Sequence, residues 1–419
     1  MNKPFIYRLD WVIIFCYFFL LFFGVINVYS STYSNEITNT IGFNNQIVKQ
    51  ILFLFISISI GIFILGIRTQ FFQQFSYIIY ITSIISLIGL FIFGHPVNGA
   101  TSWYVVGGTS IQPSEFAKIA TGFIISRHLS NFQADIKNWK TLIIGILFIL
   151  LPAFLIIIQP DPGSAIIFCS FFLVFFREGL SFSYLIFSAI AAILFVITLL
   201  FPLNYIVYLI ILISLILLYF LKKSNPKIKI FPFISLGVAA ILFVLSVNFI
   251  FNSVFQQRHR DRFNVMLGII EDTKGLGYNI NQSKIAIGSG GLSGKGFLQG
   301  TQTKGNFVPQ QQTDYIFSTV GEEWGFIGSF SLIVVFVILI VRMLNQAGKQ
   351  TNTFRRTFIY GISSLIFFHF TINIGMSLGL FPTVGIPLPF ISSGGSSLLT
   401  FSLLIFIYLN FDANRLNDW

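Results

Sequence analysis

Few residues in this sequence could begin a reaction, because ionisable side chains are scarce in it. Asp314 closes the polar run Pro309-Gln310-Gln311-Gln312-Thr313-Asp314 and directly precedes the apolar Tyr315-Ile316-Phe317. A carboxylate at such a border is partly stripped of water and placed to take a proton from a reacting hydroxyl. It would serve equally as a cap for the helix that follows, and the two roles are compatible. Glu115 and Lys118 stand three apart, on one face of a helix, inside an apolar segment. Charges in such segments are costly and are candidates for function by default, although a structural ion pair fits the same spacing. Asp161 lies between two prolines, where it could cap a helix or face a ligand. A basic cluster (Arg258, His259, Arg260, Arg262), with Lys284 and Lys295 further on, offers positive charge to an anionic group.

These residues must be held by apolar elements. The chain of 419 residues is 55% hydrophobic and 9% charged, with 53 Phe and a mean hydropathy of +0.84. Soluble domains carry about 25% charged residues, so this composition points to the membrane. Apolar runs at 11–29, 47–67, 75–94, 113–128, 141–158, 163–176, 182–201, 204–221, 231–252, 315–341, 358–380 and 396–411 are twelve candidate spans. They are continuous rather than alternating, which selects helices over a barrel. The expected fold is therefore all-α: a polytopic transmembrane helical bundle forming one integral-membrane domain over 1–419, with a long loop at 253–314 before the last three spans. Trp11 opens a run with no small-x-small cleavage site behind it, so the first span is expected to be retained.

Charge sets the orientation. With the N-terminus inside, Lys3, Arg8, Arg68, Lys137, Lys140, Lys222, Lys223, Arg355 and Arg356 all fall on the inner side, while the short outer loops carry only Lys49, at a span edge. Both termini are then cytoplasmic and the 253–314 loop lies outside. The net charge of +11 is accounted for by these loops and gives no reason to invoke nucleic acid. Cys16 and Cys169 sit in apolar runs and form no disulfide framework.

Three inward-running spans begin alike at the outer face: Gln112-Pro113-Ser114-Glu115, Gln159-Pro160-Asp161-Pro162-Gly163, and Pro389-Phe390-Ile391-Ser392-Ser393-Gly394-Gly395. Helix N-termini carry unpaired N–H groups and the positive end of the dipole. Three of them beside a basic loop suggest an anionic ligand. Other chemistries are not encoded. The glycine run Gly288 to Gly296 fails the phosphate-loop pattern at both ends, because Ser289 and Gly296 stand where it needs other residues. His95, His128, His259 and His369 have no metal-ligand spacing. The glycine run reads instead as tight turns that allow backbone to approach a ligand.

Seven blocks in order then resemble the SEDS family, in its rod-shape branch. They are Gln112 to Glu115, Gln159 to Asp161, Gln282 to Gly296, Gly300-Thr301-Gln302, Thr313 to Phe317, Asn373-Ile374-Gly375-Met376 and Gly385 to Ser396. The resemblance implies a peptidoglycan glycosyltransferase that polymerises lipid II on the outer face of the cytoplasmic membrane, in a complex with a class B penicillin-binding transpeptidase. It places the essential loop aspartate on Asp314 and the motif's carboxylate and lysine on Glu115 and Lys118. Substrate contacts are expected from Gln112, Trp103, Asp161, Arg258, Arg260, Lys284, Lys295, Ser392, Ser393 and Gly394, with a divalent cation (Mg2+ or Mn2+) as a further expectation. This chain departs from the pattern where Ser102 precedes Trp103 in place of an arginine, and where Gln310 and Gln312 replace a glutamate and a histidine. The family usually has ten spans, so 182–252 reads as a two-helix insertion. A flippase for lipid II is the alternative from another class, and a scaffold for the transpeptidase is a third.

Overall fold

The computed structural model describes residues 5–33, 46–97, 99–106, 109–131, 135–225, 229–270 and 275–415. They fold as two compact units, one of residues up to 180 together with 279 onward, the other of 181–278. In the first unit the long helices are α1 (Trp11–Thr32), α2 (Gln46–Leu65), α4 (Ser76–Phe93), α5 (Pro113–Leu129), α6 (Trp139–Ile158), α15 (Ile316–Ala347), α16 (Thr353–Ser377) and α17 (Gly395–Ala413). Short helices α3 (Thr69–Gln74), α7 (Pro162–Ile167), α8 (Phe172–Arg177) and α14 (Thr301–Lys304) join them, and α13 (Leu276–Ser289) enters from the second unit. The second unit holds α9 (Phe182–Leu200), α10 (Leu203–Ser224), α11 (Phe231–Phe249) and α12 (Gln257–Met266).

Among the described residues, ten helices are long and apolar enough to cross a membrane, and the chain is a multi-pass membrane protein. In lipid the backbone must satisfy its own hydrogen bonds, which a continuous apolar run achieves as a helix. The two remaining expected spans are α5, which carries charge, and the shorter α7–α8 run, interrupted by a 3₁₀ turn at Phe168–Phe171. Polar residues stop and start these helices. Asp10 Oδ1 accepts from Val12 N at 3.1 Å, Asn138 from Lys140 N at 3.1 Å, and Asn352 from Phe354 N at 2.9 Å.

The centre of the first unit is made by α5, α16 and α17, with α2 against α17, α1 and α16 against α15, and α4 against α5. Lipid tails are as apolar as the side chains, so close packing rather than escape from water holds such helices together. The packing is aromatic: Phe123 stacks on Phe358 with centroids 4.4 Å apart, and Phe72, Phe354 and Phe411 surround them. By contrast α9, α10 and α11 bury only 6–11% of their apolar stretches within the protein. The 182–252 stretch, read as an insertion, falls inside this second unit.

Two features were not foreseen. A three-stranded antiparallel sheet, β1 (His95–Val97), β2 (Ala100–Val106) and β3 (Thr109–Ile111), leads into α5, with Tyr104 opposite Ile111. β1 and β3 have three residues each, and the seven of β2, Ala-Thr-Ser-Trp-Tyr-Val-Val, do not alternate polar with apolar. Secondly, α15 is broken at Gly325 (φ 62°, ψ −157°), and the glycine run fills the break. Phe326 N and Ile327 N donate to Gly291 O and Leu292 O, at 2.9 and 3.1 Å. The carbonyls of Glu322 and Glu323 accept instead from Lys295 N and Gly296 N, both at 3.0 Å. A Cβ on Gly294 (φ +81°) would overlap the Glu323 carbonyl, which is why the run must be glycine there. The close backbone approach anticipated for a ligand is made to α15 itself.

Candidate active site

The three helix starts singled out in sequence do meet. Gln112 precedes α5, and its Nε2 donates to Asp161 Oδ2 (3.0 Å) and Ser164 Oγ (3.2 Å) at the start of α7. Its backbone N donates to Ser396 Oγ (3.2 Å) in the first turn of α17. Asp161 caps α7, its Oδ1 accepting from Ser164 N at 3.0 Å, so its carboxylate is committed to that terminus and to Gln112. The starts of α5 and α17 have no side-chain cap. Their N–H groups are the partial positive charges left for an anion or for water.

Glu115 and Lys118 are both buried in α5, joined at 2.7 Å. Lys118 Nζ also lies 3.0 Å from His369 Nε2 on α16 and 5.4 Å from the centre of the Phe401 ring. Glu115 Oε2 has no protein hydrogen-bond partner. A buried charge pair with one oxygen unmatched is incompletely compensated, since each lone pair left without a donor keeps its desolvation cost.

Asp314 is half-buried, and its surroundings are fixed through backbone. Asn373 Nδ2 donates to Asp314 O (2.8 Å) and to Ile386 O (2.7 Å), stitching α16 to both segments. Ser392 Oγ donates to Thr313 O (2.5 Å) while accepting from Leu388 N (2.8 Å), and Ser393 N donates to Gln312 O (2.8 Å). Gly385 flanks the carboxylate: a Cβ there would lie 3.5 Å from Asp314 Oδ2. The serines expected to touch substrate therefore hold the two residues before Asp314, and Gly394 N reaches Gln50 Oε1 at 3.3 Å.

Lys284 is exposed on α13 and lies against Gly379, while the neighbouring Ser283 donates to Ser377 O at 2.8 Å. Lys295 pairs with Glu322 (2.8 Å) and Thr301 Oγ1 (2.7 Å). The Glu322 carboxylate also accepts from Gln302 N, Thr303 N and Thr303 Oγ1 at 2.7–2.8 Å, anchoring the 301–303 block, and Glu323 accepts from Ser30 Oγ. Trp103 sits on β2, opposite His95. Arg258 and Arg260 lie on α12 of the second unit, where Arg260 Nη1 donates to Asn252 O at 2.9 Å; the Arg258 side chain is outside the described residues.

So Asp314, Gln112, Glu115, Lys118, Asp161, Ser392 and Ser393 form one bonded patch in the first unit. Asn373 and His369 complete it, and sequence reasoning gave neither a role of its own. Asn373 was visible only as the first residue of a motif block, and His369 only as its i−4 neighbour on a helix. Among the described residues no group of three or more His, Cys, Asp or Glu could hold a metal ion. The described residues thus offer no all-protein cage for the expected divalent cation.

The cell cycle protein family FtsW/RodA/SpoVE matches residues 10–212 and 206–417. Peptidoglycan glycosyltransferase MrdB of Escherichia coli K12 is 31% identical over 347 residues, 82% of this chain and 80% of that protein. Peptidoglycan glycosyltransferase RodA of Treponema pallidum is 29% identical over 97% of this chain and 98% of that one. Among solved structures, the rod shape determining protein RodA of Thermus thermophilus superposes with a TM-score of 0.62 at 19% identity, over 98% of each chain. A chain from a peptidoglycan synthase complex gives a TM-score of 0.71 at 21% identity, over 98% of this chain and 99% of that one. At these identities the two structures establish the fold alone.

Proposed function

The chain belongs to the FtsW/RodA/SpoVE family of cell cycle proteins, and on that footing we propose that it is a peptidoglycan glycosyltransferase that polymerises lipid II for cell elongation. The observation that carries the mechanism is the placing of Asp314. Its carboxylate is half-buried beside Gly385, and its backbone is pinned by Asn373 while Ser392 and Ser393 pin the residues before it. A base fixed this way is oriented before substrate arrives, which is where general-base catalysis gains its effect.

Asp314 takes the proton from the 4-hydroxyl of the acceptor sugar. The oxygen attacks the anomeric carbon of the donor, and the bond to undecaprenyl diphosphate breaks, releasing the diphosphate as an anion. The uncapped starts of α5 and α17, and the exposed cation Lys284 against Gly379, are groups suited to that charge. Glu115 and Lys118 are buried within α5, where Lys118 meets His369 of α16. A class B penicillin-binding transpeptidase is the partner that this reading supplies with glycan. The site faces outward across the cytoplasmic membrane, with both termini inside, as the loop charges favour.

Polymerisation of labelled lipid II by the purified protein tests this, with and without chelator. Asp314→Asn is expected to lower the rate by about 10²–10⁴-fold, the usual contribution of a positioned base, with the protein still folded. Retained polymer would remove Asp314 from this role, and flipping of lipid II without polymer by the wild type would turn the reading to transport.

A further inference from the structure

His369 is buried on α16, 1% exposed, and is bonded on both sides of its ring. Its Nε2 lies 3.0 Å from Lys118 Nζ and its Nδ1 lies 3.2 Å from Pro387 O. The partners decide where the proton sits. A carbonyl oxygen can only accept, so Nδ1 carries the hydrogen; an ammonium can only donate, so Nε2 must accept. Both bonds exist together only in the neutral imidazole protonated at Nδ1. Phe401 holds the ring edge-on at 4.8 Å.

One helical turn further on, Asn373 binds Ile386 O and Asp314 O. The 385–387 segment is thus gripped at Pro387 by His369 and at Ile386 by Asn373, and its Gly385 flanks the Asp314 carboxylate. A continuous chain runs from Glu115 through Lys118, His369 and Pro387 to the wall beside Asp314.

We propose that His369 is a positioning residue, which as the Nδ1-protonated tautomer ties the buried Glu115–Lys118 pair to the segment that sets the carboxylate of Asp314. The proposal rests on the glycosyltransferase reading above. Removing the link leaves Pro387 O without a donor and Lys118 without one of its acceptors, so the wall beside Asp314 loses its register. Orientation, rather than substrate capture, is then what suffers.

Three variants and two measurements test it. His369→Phe keeps a ring against Phe401 and removes both nitrogens. His369→Asn can place an amide donor near the Nδ1 position, and His369→Gln can place an acceptor near Nε2. In lipid II polymerisation, His369→Phe is expected to lower kcat by about tenfold to hundredfold while KM moves by less than about threefold, the pattern of lost orientation. Partial recovery of kcat in His369→Asn or His369→Gln supports the link. An unchanged kcat, or a rise in KM alone, overturns it. Asp314→Asn runs alongside: if that variant is inactive while His369→Phe keeps the wild-type kcat, the inference fails and the function stands. Nitrogen-15 spectra of histidine-labelled protein supply the second readout, independent of activity. The signal missing from His369→Phe should be that of a neutral ring protonated at Nδ1; protonation at Nε2 alone, or at both nitrogens, overturns the proposal even if the wild type made no polymer and the functional reading had failed.

Discussion

Asp10 and Glu115 are both buried carboxylates of the first unit, near opposite ends of the helical bundle, and their partners differ. Asp10 accepts from Arg342 Nε (2.8 Å), Tyr408 hydroxyl (3.3 Å), Gln346 Nε2 (3.4 Å) and Val12 N (3.1 Å), so both its oxygens are used. Beyond it Arg355 donates to Asn414 O and Thr69 Oγ1, and Arg356 grips Glu178 through two bonds. Around Glu115 the pairing stops short, with Oε2 unmatched and the chain of bonds passing on through Lys118 and His369. The Asp10, Arg355 and Arg356 pairings join helices to one another; Glu115 Oε2 keeps acceptor capacity in the first turn of α5. Asp10 is thus spent on cohesion, whereas Glu115 is only partly spent.

Paired substitutions test that contrast. The widest separation should come from Asp314→Asn set against Asp10→Asn. The first should remove turnover and leave unfolding unchanged. The second should keep turnover per folded molecule and cost about 1–3 kcal/mol of stability, because the charge facing Arg342 is lost and donors are left unsatisfied. Thermal unfolding in detergent alongside the polymerisation assay reads both, and matching behaviour would erase the distinction. Next in size is Lys118→Met, which strands a buried carboxylate and should cost about 3–5 kcal/mol. Adding Glu115→Gln should restore part of that stability but not the activity; full restoration of activity would make the pair a lock and nothing more. Gly294→Ala comes third, at about 1–3 kcal/mol for forcing a side chain into a left-handed, crowded position, seen as faster proteolysis of 291–303. Arg356→Lys should matter least. It gives up a two-pronged grip on a partly exposed pair, for less than about 1 kcal/mol and no loss of polymer.

Much of this architecture could be read from residue types. Uninterrupted apolar runs foretold the long helices, and the Gln-Pro openings of α5 and α7 marked two charged or short ones that composition alone would have passed over. Gln112, Glu115, Asp161 and Asp314 were legible as candidates because polar residues are conspicuous in such a chain. His369 was not, because its partner Lys118 lies 251 residues away in sequence and only the packing of α5 on α16 joins them. Asn373 was visible within a motif, yet its bonds to two separate backbone carbonyls depend on how the 378–394 segment folds back. Glu322, two turns into its span, reads in sequence as a helix-packing or polar contact, and the contact is polar. Nothing local announces that α15 opens three residues later, so its task of holding Lys295 and the 301–303 block could not be read.

That opening in α15 has a kinetic consequence. Four hydrogen bonds cross between the 291–296 run and the broken turn, and they stand in for bonds the helix would otherwise make within itself. Neither partner is complete alone. The amides of Phe326 and Ile327 can exchange with solvent only when Gly291 and Leu292 let go, and those of Lys295 and Gly296 only when Glu322 and Glu323 do. Protection at these four amides should therefore rise and fall as one cooperative opening, a local unfolding unit shared between the 291–296 segment and a helix that runs on to Ala347.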